Sequence, residues 1–294
     1  MSSDSLIYLD GEFVKESEAK VSVFDHGLLY GDGFFEGIRV YNSRVFKLQE
    51  HVDRAFAAAK AIMLNLPMTK EEMAEIILES CRKNNLKDGY IRLVVTRGKG
   101  NLGLNPRSCP KPSIICIAAN IQLFSDEVYE KGLKLVTCSL RRNSSNNIDP
   151  QIKSLNYINN ILGVIEANRA GADEVIFLNQ NGVVAEGSGD NIFIIKDGVI
   201  YTPPIYIGAL DGITRKCVME LAEKEGYRVC EKEFTLFNVY NADEVFLTGS
   251  AAELIAVTNV DDRVIGNGVC GPITEKLLNA YREYRNSNGT DLYQ

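Results

Sequence analysis

Tryptophan is missing from this 294-residue sequence, and histidine occurs only twice, at His26 and His51. Two solitary histidines leave little for a zinc site or a histidine-based hydrolase, both of which need clustered partners. Neither has a Ser, Cys or metal-ligand partner at useful spacing, so structural or capping roles are expected for both and no metal site is expected. Basic charge is in deficit too: 32 Lys and Arg against 39 Asp and Glu leave a net charge of −7. That balance disfavours non-specific binding to nucleic acid or an anionic membrane, which needs a cationic surplus. Paired cysteines are lacking as well. The seven, at 81, 109, 116, 138, 217, 230 and 270, stand singly with no Cys-x-x-Cys pair, and read as reduced thiols of a cytoplasmic protein. No apolar run approaches the ~18 residues that span a bilayer, and Met1-Ser-Ser-Asp-Ser5 has neither the basic start nor the apolar stretch of a signal peptide.

What remains is an ordinary globular composition, 45% hydrophobic and 24% charged, on a chain long enough for two domains of ~150 residues. Strands are expected at Leu6–Leu9 and Glu12–Val14, around the Asp10-Gly11 hairpin signal. Leu48, Val52, Ala55, Ala59, Ile62 and Leu66 recur at helical spacing and predict a helix over 47–66, stopped by Pro67. Thr69 and Glu72 form a capping-box pattern that opens a second helix, running to about Asn85. Strand-like runs follow at 90–96, 113–119 and 133–139. Helices over 155–170 and 215–225, closed by Gly171 and Gly226, are interleaved with strands at 174–178, 191–195, 228–231 and 244–247. A last helix over 273–284 follows Pro272, and 286–294 reads as a frayed tail. The pattern predicts a mixed α/β (α+β) fold with a small N-terminal domain at 1–120, a linker at 121–131 and a larger, β-rich C-terminal domain at 132–294.

One dinucleotide fingerprint occurs, Gly98-x-Gly100-x-x-Gly103, but the proline-rich residues after it cannot open the helix that would hold a pyrophosphate. Asp211-Gly212-Ile213-Thr214-Arg215 leads into a helix whose N-terminus suits a phosphate, although by itself it reads as Thr214 capping that helix. A second phosphate-sized turn is Gly249-Ser250-Ala251-Ala252. Helical spacing would set Tyr157 one turn beyond Lys153, a phenol beside an amine that suits imine chemistry. Glu186 stands in Val184-Ala-Glu-Gly-Ser-Gly-Asp-Asn191, where small residues allow close approach to a flat ligand; by itself the run reads as a polar hairpin turn.

Over nearly its whole length the sequence resembles the fold-type IV enzymes that use pyridoxal 5′-phosphate (PLP), and among them the branched-chain amino-acid aminotransferases. The likeness is carried by Tyr30-Gly-Asp-Gly-Phe-Phe-Glu-Gly-Ile-Arg-Val-Tyr41, His51-Val-Asp-Arg54, Tyr90-Ile-Arg92, Lys153-Ser-Leu-Asn-Tyr157, Glu186-Gly-Ser-Gly-Asp-Asn191, Gly212-Ile-Thr-Arg215 and Gly249-Ser-Ala-Ala-Glu253. The resemblance implies that Lys153 forms the Schiff base with PLP and moves the proton between substrate and cofactor. It implies that Glu186 contacts the pyridine nitrogen, Tyr157 the ring oxygen and Leu210 the ring face, while Arg54, Ile213, Thr214 and Ser250 bind the phosphate. Tyr30, Phe35, Arg39, Tyr90, Arg92, Ala251 and Ala252 match positions around the substrate. Implied too are amino-acid and 2-oxo-acid substrates, a ping-pong transfer from L-valine, L-leucine or L-isoleucine to 2-oxoglutarate, and a homodimer or larger homo-oligomer.

The sequence departs from the family pattern in two places. Tyr157 lies four positions after Lys153 where some bacterial relatives have a spacing of five, and Gln122 stands near where others carry a pocket tryptophan. D-amino-acid aminotransferases and aminodeoxychorismate lyases share the fold and are the alternatives, with a noncatalytic PLP-binding protein as one of another class. The D-specific enzymes trap a carboxylate with Arg-x-His; here Arg97 is followed by Gly98-Lys99.

Overall fold

The structure is a computed structural model that describes residues 5–120 and 126–293. In chain order its first elements are β1 (Leu6–Leu9), β2 (Glu12–Lys15), α1 (His26–Tyr30), β3 (Gly33–Tyr41), β4 (Arg44–Val45), α2 (Leu48–Ala61), α3 (Lys70–Lys83), β5 (Gly89–Thr96) and β6 (Ser113–Ala119). There follow α4 (Asp126–Lys131), β7 (Leu133–Arg141), α5 (Ile158–Ala170), β8 (Glu174–Leu178), β9 (Val184–Glu186), β10 (Asn191–Lys196), β11 (Val199–Thr202), α6 (Ile213–Lys224) and β12 (Arg228–Glu231). The last are α7 (Leu236–Tyr240), β13 (Glu244–Gly249), β14 (Glu253–Val260), β15 (Arg263–Val264), α8 (Pro272–Ser287) and β16 (Thr290–Asp291). The chain forms two compact units. One holds the described residues up to 120 with 152–156 and 285–293; the other holds 126–151 and 157–284. Of the linker expected at 121–131, residues 121–125, with Gln122, lie outside the described residues, and the remainder is α4.

The first unit is an antiparallel sheet in the order β16-β4-β3-β5-β6-β1-β2. Strand residues alternate between faces, and β3 shows what this does. Phe34, Ile38 and Val40 are buried with Val52, Ala55 and Ala59 of α2 and Met73, Ile77 and Cys81 of α3. The periodic apolar positions that predict α2 and α3 are the ones that cover this face. Both bonds of the Thr69–Glu72 capping box form. Helix α2 ends earlier than predicted because Met63 turns left-handed (φ 52°) and faces solvent, while Leu64 returns to the core. The frayed tail is corrected: Thr290 and Asp291 pair with β4, and Leu292 is fully buried. Apolar Leu292 is anchored by the core its polar neighbours disguise.

The second unit is a mixed sheet in the order β12-β11-β10-β13-β14-β7-β8-β9, with β15 on β14. Its core joins Leu133 and Leu135 of β7 to Ile192 and Ile194 of β10, Val245 and Leu247 of β13, and Ile255 and Val257 of β14. Helix α6 packs on β12 and β13, and α5 on β7 and β8. Two helix starts differ from expectation. Helix α5 begins at Ile158 with Tyr157 as its cap, so Lys153 and Tyr157 do not share a helix turn. Lys153 is left-handed (φ 50°), and the segment after it makes an isolated antiparallel bridge from Ser154 to Phe34 before bending at Leu155. Helix α6 is capped by Gly212; Thr214 lies buried inside its first turn and does not cap it. After Gly98 comes a loop with one short turn at Pro106–Ser108, as the prolines dictate.

Helix α5 sits on its sheet through small and polar residues: Asn160, Gly163 and Ala167 are its buried positions. A Cβ on Gly163 would lie 2.5 Å from the Phe177 ring, so only glycine lets the helix come this close. Its large apolar residues Ile158, Ile161, Leu162 and Ile165 face outward, 43–66% exposed. They are spaced i, i+3, i+4, i+7, a continuous stripe.

Candidate active site

In the first unit the candidate substrate residues share the outer face of β3 and β5. Alternation puts Phe35, Gly37 and Arg39 on that face, and the register sets Arg92 opposite Gly37 and Tyr90 opposite Arg39. Gly37 makes room: a Cβ there would lie 1.9 Å from the Tyr90 hydroxyl, which accepts from Arg92 Nη2 at 3.1 Å. Burial pushes the Tyr90 phenol above its ordinary value, and the neighbouring Arg92 only partly offsets this. The segment of Lys153 lies along the start of β3, with Phe35 N donating to the Lys153 carbonyl at 3.1 Å and Leu155 N to the Gly33 carbonyl at 3.0 Å. Lys153 Nζ is 4.7 Å from the centre of the Phe35 ring, and the Arg92 guanidinium carbon is 4.5 Å from the same centre. An amine and a guanidinium thus meet on one aromatic ring. Arg39 stacks over Tyr41 at 4.9 Å, and Tyr30, at the end of α1, donates its hydroxyl to the Leu102 carbonyl.

Arg54 lies elsewhere, on the α2 side of the sheet. Glu36 occupies a core-facing position of β3 and is 1% exposed. Arg54 forks onto it, Nε to Oε1 and Nη2 to Oε2, both at 2.7 Å, and His51 Nδ1 lies 2.7 Å from Oε2. Burial pushes the Glu36 carboxyl up, but the Arg54 charge and hydrogen bonds, helped by His51, bring it down to about 2. Burial lowers His51 below the ordinary imidazole value, and the Glu36 contact does not make up the difference. Glu36 and His51 join the candidate set only in the fold, for nothing in sequence marks Glu36 as the partner of a helix 18 residues on. His26 is structural, its Nε2 2.8 Å from the Asn101 carbonyl.

In the second unit Glu186 ends β9, all three residues of which are buried, which corrects the polar-hairpin reading. Its Oε1 accepts from Arg142 Nε at 2.7 Å; its Oε2 accepts from Leu210 N at 2.9 Å and lies 3.5 Å from Asn191 Nδ2. Asn191 also donates to the Leu210 carbonyl at 2.9 Å, so Leu210 is held through its backbone beside the carboxylate. Asn191 pairs in register with Thr248 on β13, whose buried hydroxyl has no hydrogen-bond partner among the described residues. Ser250, Ala251 and Ala252 form the turn that follows, with Tyr129 donating to the Ala252 carbonyl at 2.9 Å. Beside β13, α6 presents the backbone of Ile213 and Thr214 at an N-terminus that no described side chain caps. Glycine-capped helix donors and an orphaned hydroxyl suit an anion, and a buried carboxylate suits a protonated ring nitrogen, so this unit fits a flat, phosphorylated pyridine. Arg142 and Thr248 lie outside every motif that the sequence displays, and nothing in their neighbours marks them as site residues.

The sequence pattern of the amino-transferase class IV family matches residues 33–260. A Methanocaldococcus jannaschii protein, itself only provisionally named a branched-chain-amino-acid aminotransferase, is 52% identical over 287 residues, spanning 98% of this chain and 99% of its own. The crystal structure of Escherichia coli branched-chain amino acid aminotransferase superposes with a TM-score of 0.94 at 36% identity, covering 99% of this chain and 98% of that one. The T.th. branched-chain amino acid aminotransferase, complexed with N-(5′-phosphopyridoxyl)-L-glutamate, gives 0.90 at 39% identity, covering 96% and 94%. The chain belongs to the class IV amino-transferase family, whose members are PLP enzymes.

Proposed function

We propose that this chain is a PLP-dependent branched-chain amino-acid transaminase, moving the amino group of L-valine, L-leucine or L-isoleucine to 2-oxoglutarate and giving the branched 2-oxo acid and L-glutamate in a ping-pong cycle. The observation that carries the reading is the convergence of Lys153 Nζ and the Arg92 guanidinium on the Phe35 ring. When bound, PLP supplies an electron sink for charge developing at the substrate Cα. Lys153 holds the cofactor through Nζ and, once an amino acid takes its place, carries the proton between substrate Cα and cofactor C4′. Glu186 meets the ring nitrogen, Tyr157 the ring oxygen, and Leu210 the ring face. Arg54, Ser250 and the backbone of Ile213 and Thr214 bind the phosphate. Tyr30, Phe35, Arg39, Tyr90, Arg92 and the backbone of Ala251 and Ala252 receive the substrate.

The outward apolar stripe of α5 supports a homodimer or larger homo-oligomer, since water-facing apolar strips of this length mark association. Seven free thiols support a reducing, cytoplasmic setting. Against the D-specific alternative stands Arg97, whose Nε and Nη2 fork onto Asp32 at 2.8 and 2.9 Å while Nη1 and Nη2 also donate to the Met63 and Ile62 carbonyls. A guanidinium so engaged has little left for a substrate carboxylate. The test is the visible spectrum of the purified protein with PLP, before and after L-leucine or D-alanine, repeated with Lys153→Ala. Conversion to the pyridoxamine form by L-leucine is expected. Conversion by D-alanine alone would favour the D-specific reading, and a wild-type protein that stays colourless with PLP would refute the proposal.

A further inference from the structure

We propose that Arg142 is the positioning residue that places the shared proton on the cofactor's ring nitrogen, making its contact with Glu186 an ion pair and not a neutral hydrogen bond. The inference rests on the reading that Glu186 meets that nitrogen. Arg142 and Glu186 are 5% and 4% exposed, and Nε to Oε1 is 2.7 Å. Glu186 is the only carboxylate paired with Arg142 among the described residues. The far edge of the guanidinium is pinned by two side chains of α5, Nη1 donating to Asn159 Oδ1 at 3.0 Å and Asn160 Oδ1 at 3.3 Å. Asn160 is fixed in turn by donating to the Ser188 carbonyl at 2.6 Å, in the loop that leaves Glu186. The Ser188 loop is tied down by Glu174, which accepts from its hydroxyl at 2.6 Å and its N–H at 3.0 Å.

A carboxyl group and a pyridine nitrogen that meet out of water share one proton in one of two ways. Burial alone favours the uncharged pair, because two desolvated charges are costly. Arg142 reverses that preference. If the proton sat on the carboxyl group, the guanidinium would be left a buried cation without a counter-charge, which is the more expensive state. The Leu210 N–H pointing at Oε2 acts in the same sense, since a donor stabilises the ionised oxygen. Bond counting closes: one proton leaves a Glu186 oxygen and one N–H bond forms on the ring, with no other reactant. The acidic partner of the cofactor is therefore a triad of Arg142, Glu186 and ring nitrogen, in which Arg142 never touches the ring.

The experiment is nitrogen-15 NMR of the holoenzyme reconstituted with PLP labelled at its ring nitrogen. Wild type is expected to give a pyridinium signal, Arg142→Met and Arg142→Gln a signal moved to the neutral-pyridine range, and Arg142→Lys the wild-type signal restored. Arg142→Gln keeps a donor toward Glu186 without the charge, so it serves if the methionine variant does not fold. A residue with only a structural role would leave the ring signal of any folded variant unchanged. A pyridinium signal persisting in folded Arg142→Gln or Arg142→Met overturns the inference and leaves the Glu186 reading standing. A neutral ring nitrogen in wild type also overturns the inference, whereas a ring signal that Glu186→Gln leaves unchanged overturns the Glu186 reading itself.

Discussion

Replacing Glu36 with glutamine probes the buried charge network that holds Arg54, and its cost follows from the structure. The Glu36 carboxyl stands at about 2 in the folded protein against 4.5 for the unperturbed group. At ~1.36 kcal/mol per pH unit, a fall of about 2.5 is worth ~3 kcal/mol of folding stability at pH 7. Glutamine keeps the shape and strands Arg54, which is only 13% exposed, so ~3 kcal/mol is the expected loss. For a protein of this size that lowers the melting temperature by about 6–12 °C. The sign with pH is fixed. A carboxyl group lowered in the native state contributes fully above its unfolded value and loses the contribution as pH falls toward its folded one. The gap between wild type and Glu36→Gln should therefore shrink to ~1.4 kcal/mol by pH 3. Urea unfolding of both proteins from pH 7 down to pH 3 measures this. A gap that stays constant across that range, or that is below ~1 kcal/mol at pH 7, refutes the reasoning.

Leu292→Ala should cost ~2–5 kcal/mol in the same unfolding assay, because the side chain is fully buried; a neutral effect would restore the frayed-tail expectation. Ile161→Asp combined with Ile165→Lys should shift the protein toward monomer in sedimentation velocity while leaving its far-ultraviolet spectrum unchanged, and an unchanged sedimentation coefficient would discard α5 as the contact face. Burial pushes the Cys81 and Cys116 thiols up to about 12, so alkylation of the native protein at pH 8 should spare both and label the part-exposed Cys109 and Cys230; mass spectrometry of the digest reads the order.

Where local rules decided the outcome, the sequence was enough. The Thr69–Glu72 box, the apolar spacing of α2 and α3, and the prolines after Gly98 each act within a few residues, and each appears in the fold as its chemistry requires. Local rules misled where a distant partner set the conformation. Spacing placed Lys153 and Tyr157 on one helical turn, whereas an isolated bridge to β3 holds the Lys153 segment out of the helix and leaves Tyr157 to cap α5. The glycine at 171 marked the end of α5 but said nothing of which face packs inward; the close approach at Gly163 turns its small residues to the sheet, and only the position of Phe177 reveals it.

The charged residues make the same point more sharply. Lys153, Glu186 and Arg54 could be picked out through motifs shared with a family, but what each is bonded to could not. Glu36 reads as one letter in a strand and Arg142 as one cation beside another, yet each is a buried charge whose partner lies tens of residues away or on another element. A buried charge without its partner costs several kcal/mol, so these pairs must form together with the core. The residues that touch a cofactor can be shared widely by enzymes of one chemistry; the charges behind them depend on where each chain brings its strands and helices. Of the charges that stand behind the candidate site, Glu36 and His51 lie inside motifs whose letters do not say what they are bonded to, and Arg142 lies outside every one of them.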